Sequence, residues 1–76
     1  MNLNDWIDSL APRGASQTAA ELLGEKRRTV DSWRLFQSPP AFRAAHKIVQ
    51  RSQGLVDFNG IYAPYARALE AADGQS

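Results

Sequence analysis

Residues 16–35 read SQTAAELLGEKRRTVDSWRL. Gly24 follows Ala20 by four residues, Val30 follows Gly24 by six, and Trp33 follows Val30 by three. That spacing suits two helices meeting steeply across a tight turn. The first helix needs a small side chain where the second crosses it, and the turn needs a residue that accepts positive φ. Val30 and Trp33, at i and i+3, give the second helix one apolar face. Lys26, Arg27, Arg28, Asp31 and Ser32 are left for the other. Three cations in a row between apolar anchors form either a solvated surface or a face held against an anion.

The helical period recurs on both sides of this unit. Leu3, Trp6, Ile7 and Leu10 make one stripe of a short helix, capped by Asn2, with Asp5 placed well for the helix dipole. Residues 11–14, APRG, end it. The next helix is expected over residues 17–23, with Ser16 as N-cap and Gly24 as its left-handed closing glycine. A third starts after Glu25. Pro39 and Pro40 close the following loop. A fourth helix over about residues 41–53 turns Phe42, Ala45, Ile48 and Val49 inward and ends at Gly54. Its opposite edge carries Arg43, Lys47 and Arg51 at steps of four. Phe58, Ile61, Tyr62, Tyr65 and Leu69 mark a last helix with Asp57 as N-cap, and Pro64 should kink it or divide it near Ala63. The expected fold is all-α: one compact four-to-five-helix domain over residues 1–72, with 73–76 a disordered tail.

Composition excludes several functions. The chain of 76 residues has no cysteine and one histidine, which rules out a disulfide framework and a thiolate metal site and leaves a histidine cluster without material. Its apolar runs are far shorter than a membrane span. The start, MNLNDWIDSL, lacks the basic lead and apolar core of a signal peptide, so a cytoplasmic location is expected. Glu21, Glu25 and Asp31 make no acid–base pair, and His46 reads as a helix-flank residue. Neither an enzyme nor a cofactor is expected. The net charge of +1 hides an uneven distribution: residues 26–51 hold seven cations against Asp31 alone, a balance of +6, which leaves −5 for the rest. A basic band of this kind is the footprint of nucleic-acid binding. RNA is the weaker reading, because no exposed aromatic platform is evident beside the cations.

The unit 16–35 resembles the helix-turn-helix of the Cro and phage-repressor family of DNA-binding proteins. Residues 3–70 resemble the family's layout more loosely. The resemblance implies a lambda repressor-like fold in which the second helix of the unit lies in the major groove. It implies base contacts from Lys26, Arg27, Arg28 and Ser32. Phosphate contacts fall to Ser16, Gln17 and Thr29, and the basic band adds Arg34, Arg43 and Lys47. Arginine suits bidentate contact with guanine O6 and N7. Asp31 on this face would be repelled by phosphate unless it pairs with Arg27, Arg28 or a cytosine amino group. Small phage regulators of this build include some encoded beside anti-CRISPR genes.

Tyr62, Tyr65, Ala66 and Leu69, together with Leu22, are more apolar surface than so small a domain can hide, and tyrosine is enriched at interfaces. A homodimer through residues 57–71 is therefore expected, reading a palindromic, inverted-repeat operator on double-stranded DNA. The function expected is that of a sequence-specific transcriptional regulator, a phage-type autorepressor. The chain leaves no room for an effector domain, so no small-molecule effector is expected. The alternative is a DNA-binding antitoxin or another protein-interaction module of a small operon.

Overall fold

In the computed structural model, which describes residues 1–73, the first apolar stripe forms helix α1, Leu3–Leu10. Asn2 caps it, its Oδ1 accepting the Asp5 N–H at 2.8 Å, which satisfies one amide that a helix start leaves open. Helix α2, Ala15–Leu23, begins two residues before the expected position. Its N-cap is Gly14, at φ +63°, and Ser16 lies inside the first turn without capping it. No side chain caps this start; the first helical bond runs from the Thr18 N–H to the Gly14 carbonyl at 3.0 Å, and the Thr18 hydroxyl donates to the same oxygen at 3.2 Å.

Gly24 closes α2 in the left-handed region, at φ +68°. The Glu25 N–H donates to the Ala20 carbonyl at 2.8 Å and the Gly24 N–H to the Glu21 carbonyl at 3.4 Å, a paired closure that occupies two end carbonyls. Helix α3, Arg27–Arg34, follows at once, with Val30 and Trp33 buried as its spacing requires. Helices α4, Phe42–Arg51, and α5, Phe58–Asp73, complete an all-helical chain of five helices, with no strand among the described residues. Helix α2 is central, packing on α1, α3 and α4, while α5 packs on α4. Every helix contributes to one core, which runs from Leu3, Trp6 and Ile7 through Ala19, Ala20 and Leu23 to Ile48 and Ile61. The radius of gyration, 12.2 Å, is close to the roughly 11 Å expected of a compact domain of this length.

Three expectations need correction. Phe42 does not face inward; it is 73% exposed. It is the first residue of α4, and the buried Ala44, Ala45 and Ile48 point that helix's inner face elsewhere. Phe42 stacks instead on Phe58, ring centroids 5.7 Å apart and planes 8° from parallel. Of the two outcomes expected at Pro64, a kink or a division, the division does not occur: the last helix runs unbroken from Phe58. Proline removes one amide and crowds the carbonyl four residues back, here that of Gly60. Tyr62 and Tyr65, on either side of Pro64, are each anchored by their hydroxyls and hold the helix through the defect. Of the expected tail 73–76, Asp73 closes α5, and residues 74–76 lie outside the described residues.

Asp57 caps α5 as expected, accepting the Gly60 N–H at 2.7 Å. Gly60 itself is required by close approach, since a Cβ there would collide with the Met1 carbonyl oxygen. Ser52, the buried polar residue between α4 and α5, accepts the Val56 N–H at 3.1 Å and so fixes that bend.

Helices α3 and α4 end with the same paired closure as α2 but without glycine at the left-handed position. Phe36 holds φ +59° and Gln53 holds φ +56°. A side chain in that region costs about 1–2 kcal/mol. Opposite signs are expected from two substitutions in urea denaturation. Gln53→Gly should raise stability by about 1 kcal/mol, and Gly24→Ala should lower it by about as much.

Candidate nucleic-acid interface

The first turn of α3 carries the exposed Lys26, Arg27 and Arg28. Local backbone explains why: the Thr29 and Val30 amides both donate to the Lys26 carbonyl, at 3.0 and 3.2 Å, so the helix starts immediately after the turn. With Val30 and Trp33 rotated into the core, the 100° step puts Arg28, Asp31 and Ser32 on the outer side. Ser32 and Thr29 are half-buried. Asp31 pairs with Arg27, Nε to Oδ2 3.6 Å, both side chains well exposed. Of the partners open to Asp31 within the chain, Arg27 is the one it takes.

The proposed backbone contacts divide into two groups. Arg34 is engaged inside the chain: its guanidinium is bound to the Asp8 carboxylate and donates to the Ser16 hydroxyl at 3.0 Å. The bond ties the end of α3 to the start of α2 and to α1, so two expected phosphate contacts, Arg34 and Ser16, hold each other. Lys47 is half-buried, donating from Nζ to the Leu23 carbonyl at 3.4 Å and lying 3.9 Å from Glu25. It latches α4 onto the turn before α3. Gln17 is exposed and donates to Glu21 at 3.2 Å. Arg43 is exposed, as is Arg51. Lys26, Arg28, Arg43 and Arg51 have no ion-pair partner among the described residues. Lys47 is thus brought to the turn that precedes Lys26, Arg27 and Arg28, Arg34 is held at the far end of α3, and four cations of the band are left free of ion pairs among the described residues.

Nothing in the spacing of Arg34 or Lys47 distinguished them from the free cations, since their partners Asp8 and Leu23 lie 26 and 24 residues away. Phe42 is a second point missed. It is an exposed aromatic residue preceding Arg43 in the chain, where none was expected.

The expected interface residues are also partly engaged. Tyr62 donates its hydroxyl to the Pro40 carbonyl at 2.7 Å. The Tyr65 hydroxyl lies 2.6 Å from the Trp33 carbonyl and 3.0 Å from that of Ser38. Its ring meets Phe36 edge-on, centroids 5.1 Å apart. Both tyrosines are half-buried, and they clasp the α3–α4 loop onto α5. Ala66 and Leu69 are exposed.

No group of three or more His, Cys, Asp or Glu among the described residues could hold a metal ion. No helix among them is long and apolar enough to cross a membrane. Comparison with family models, curated proteins and solved structures found no match in any of the three.

Burial, and to a lesser degree the neighbouring Tyr62, pushes the Tyr65 phenol from 10.0 up to about 12. Folding therefore favours its neutral form. That contribution is complete below pH 10 and is lost as pH rises through 12. The stability advantage of the native chain over Tyr65→Phe should shrink between pH 10 and 12 in denaturant titrations. A difference absorbance titration of the same pair should keep Tyr65 protonated at pH 11.

Proposed function

We propose that α2 and α3 form a helix-turn-helix and that the chain is a sequence-specific transcriptional regulator binding duplex DNA. In this reading it is an autorepressor of the Cro and phage-repressor type that binds an inverted-repeat operator as a homodimer. The observation that carries the reading is the exposed first turn of α3. There Lys26 and Arg28 stand without ion-pair partners on a helix whose opposite side is locked by Val30 and Trp33.

The physical sequence is direct. Buried Val30 and Trp33 fix the rotation of α3, so Arg28 and Ser32 are presented together to a groove. Arg28 offers two parallel donors to guanine O6 and N7. Asp31, by pairing with Arg27, is partly neutralised and adds less repulsion at a phosphate surface. Arg43 and Arg51 on α4 supply charge without direction, which suits phosphate. Phe42, exposed beside Arg43, favours a second reading in which a single strand stacks a base on its free face.

Selection from random duplexes, followed by titration of the recovered site, tests both. Affinity should fall steeply with salt as bound phosphates release counterions, and a flat response would reject a nucleic-acid function. Arg28→Ala should cost about 1–3 kcal/mol on the selected site and relax base preference, while Arg43→Ala should weaken selected and random duplexes alike. A single strand outcompeting its own duplex, with binding lost in Phe42→Ala, would favour the second reading.

A further inference from the structure

Asp31 is the single acid among residues 26–51, and it stands within the cationic face rather than at its border. With Val30 and Trp33 buried, the outermost line of α3 falls near Arg28. Asp31 lies about 60° from Arg28 around the axis on one side, and Ser32 about 40° on the other. Arg27 is on the flank, about 40° beyond Asp31. The acid is therefore nearer the centre of the face than Arg27 is. Against phosphate, which every duplex presents, a carboxylate in that place only repels.

The contact that Asp31 makes inside the chain leaves it half used. Arg27 Nε lies 3.6 Å from Oδ2, an ion pair longer than a hydrogen bond. It is the one ion pair of Asp31 among the described residues. Both side chains are well exposed, so the pair holds weakly and its oxygens keep their capacity to accept. Few groups in a major groove can fill that capacity. The donors on its base edges are the amino groups of cytosine and adenine, and adenine sets its N7 acceptor beside its own. Guanine and thymine turn acceptors outward. A carboxylate thus fits cytosine N4 and is repelled by the other edges. From Arg28 to Asp31 the helix advances about 4.5 Å, near the rise of one base pair, about 3.4 Å.

We propose, resting on the DNA reading above, that Asp31 reads the amino group of a cytosine at the base pair next to the guanine taken by Arg28. In the free chain Arg27 holds the carboxylate. On docking, Asp31 exchanges Arg27 for the cytosine amino group, and Arg27 turns to phosphate. Where no amino group waits, the acid repels. One side chain thereby raises affinity for its site and lowers it for other sequences, which is how specificity gains most.

Selection from random duplexes with the full chain, followed by titration, tests this role. The native site should hold a cytosine one pair from the guanine whose selection Arg28→Ala relaxes. Replacing that cytosine by thymine should weaken native binding about five- to tenfold. Asp31→Ala should bring this ratio near unity and bind random duplex more tightly. Asparagine meets adenine N6 and N7 together, so Asp31→Asn, nearly identical in shape, should move selection at that pair from cytosine to adenine. Arg27→Ala should weaken all duplexes alike and keep the cytosine. A native site without cytosine beside that guanine overturns the role of Asp31. So does an Asp31→Ala chain that tightens selected and random duplexes equally, or an Asp31→Asn chain with unchanged preference. A cytosine preference lost in Arg27→Ala overturns it too, because Asp31 would then act by supporting Arg27. These failures occur in a chain that still selects a site. A native chain that ignores duplex DNA ends the DNA reading itself, and this role with it.

Discussion

Helix α3 has eight residues, and only Val30 and Trp33 are buried. Helices this short do not persist on their own propensity, which is marginal in water below about 12–15 residues. The exposed cationic face of α3 therefore exists only as far as the rest of the chain holds that helix in place. Two buried side chains, worth about 2–3 kcal/mol each, set its rotation about its axis. They do not fix its ends. The front end is set by Gly24, whose conformation turns the chain, and by Lys47, which reaches the Leu23 carbonyl and Glu25 beside that turn. The back end is set by Asn4, which donates to the Arg34 carbonyl at 3.3 Å, and by Tyr65 on the Trp33 carbonyl. Helices α1 and α5 thus each contribute a polar tie to one short helix, and α4 ties down the turn that precedes it.

Those ties change how the positive charge of the central band is used. Exposed ion pairs are worth little energetically, about 0–1 kcal/mol, so Arg34 with Asp8 and Lys47 with Glu25 are better understood as positioning devices. Each removes one cation from the field an anion would meet. Lys26, Arg28, Arg43 and Arg51 remain, together with Arg27, whose charge Asp31 partly offsets. A helix carrying cations at its start and no unpaired acid on its outer side presents a one-sided potential, although the chain as a whole is nearly neutral. Such a face steers an anionic partner without making the domain sticky over its whole surface.

Much of this was legible in the sequence because it is local. Periodicity located all five helices, and Asn2, Gly24 and Asp57 marked their caps through contacts three to five residues apart. The burial of Val30 and Trp33 followed from their spacing. Errors arose where one local pattern fits two placements and where long-range contacts decide. The start of α2 was misplaced because a left-handed Gly14 replaced the serine cap, and serine in a first turn looks the same in either role. Phe42 was turned inward by its hydrophobicity, whereas a helix's first residue is oriented by the residues that follow it. The engagement of Arg34 and Lys47 and the two tyrosine hydroxyl bonds join residues 18 to 32 positions apart. Nothing in the neighbourhood of either residue encodes them.

The two ends of α3 are held with unequal firmness, and the difference comes from the backbone. At the front, the left-handed residue is Gly24, for which positive φ carries no steric penalty. The Lys47 contacts act there without opposition. At the back, the left-handed residue is Phe36, where the same conformation costs about 1–2 kcal/mol. Set against it are the edge-on contact with Tyr65, worth about 0.5–1.5 kcal/mol, and a Tyr65 hydrogen bond of about 1 kcal/mol. The two sides nearly cancel. The back tie is therefore close to balance, and a small change in the surroundings of Tyr65 is enough to strengthen or release it. Helix α3 is thus entered through a turn without backbone strain, whereas its far end carries the strain of Phe36, offset by Tyr65 and held besides by the Asn4 and Arg34 hydrogen bonds.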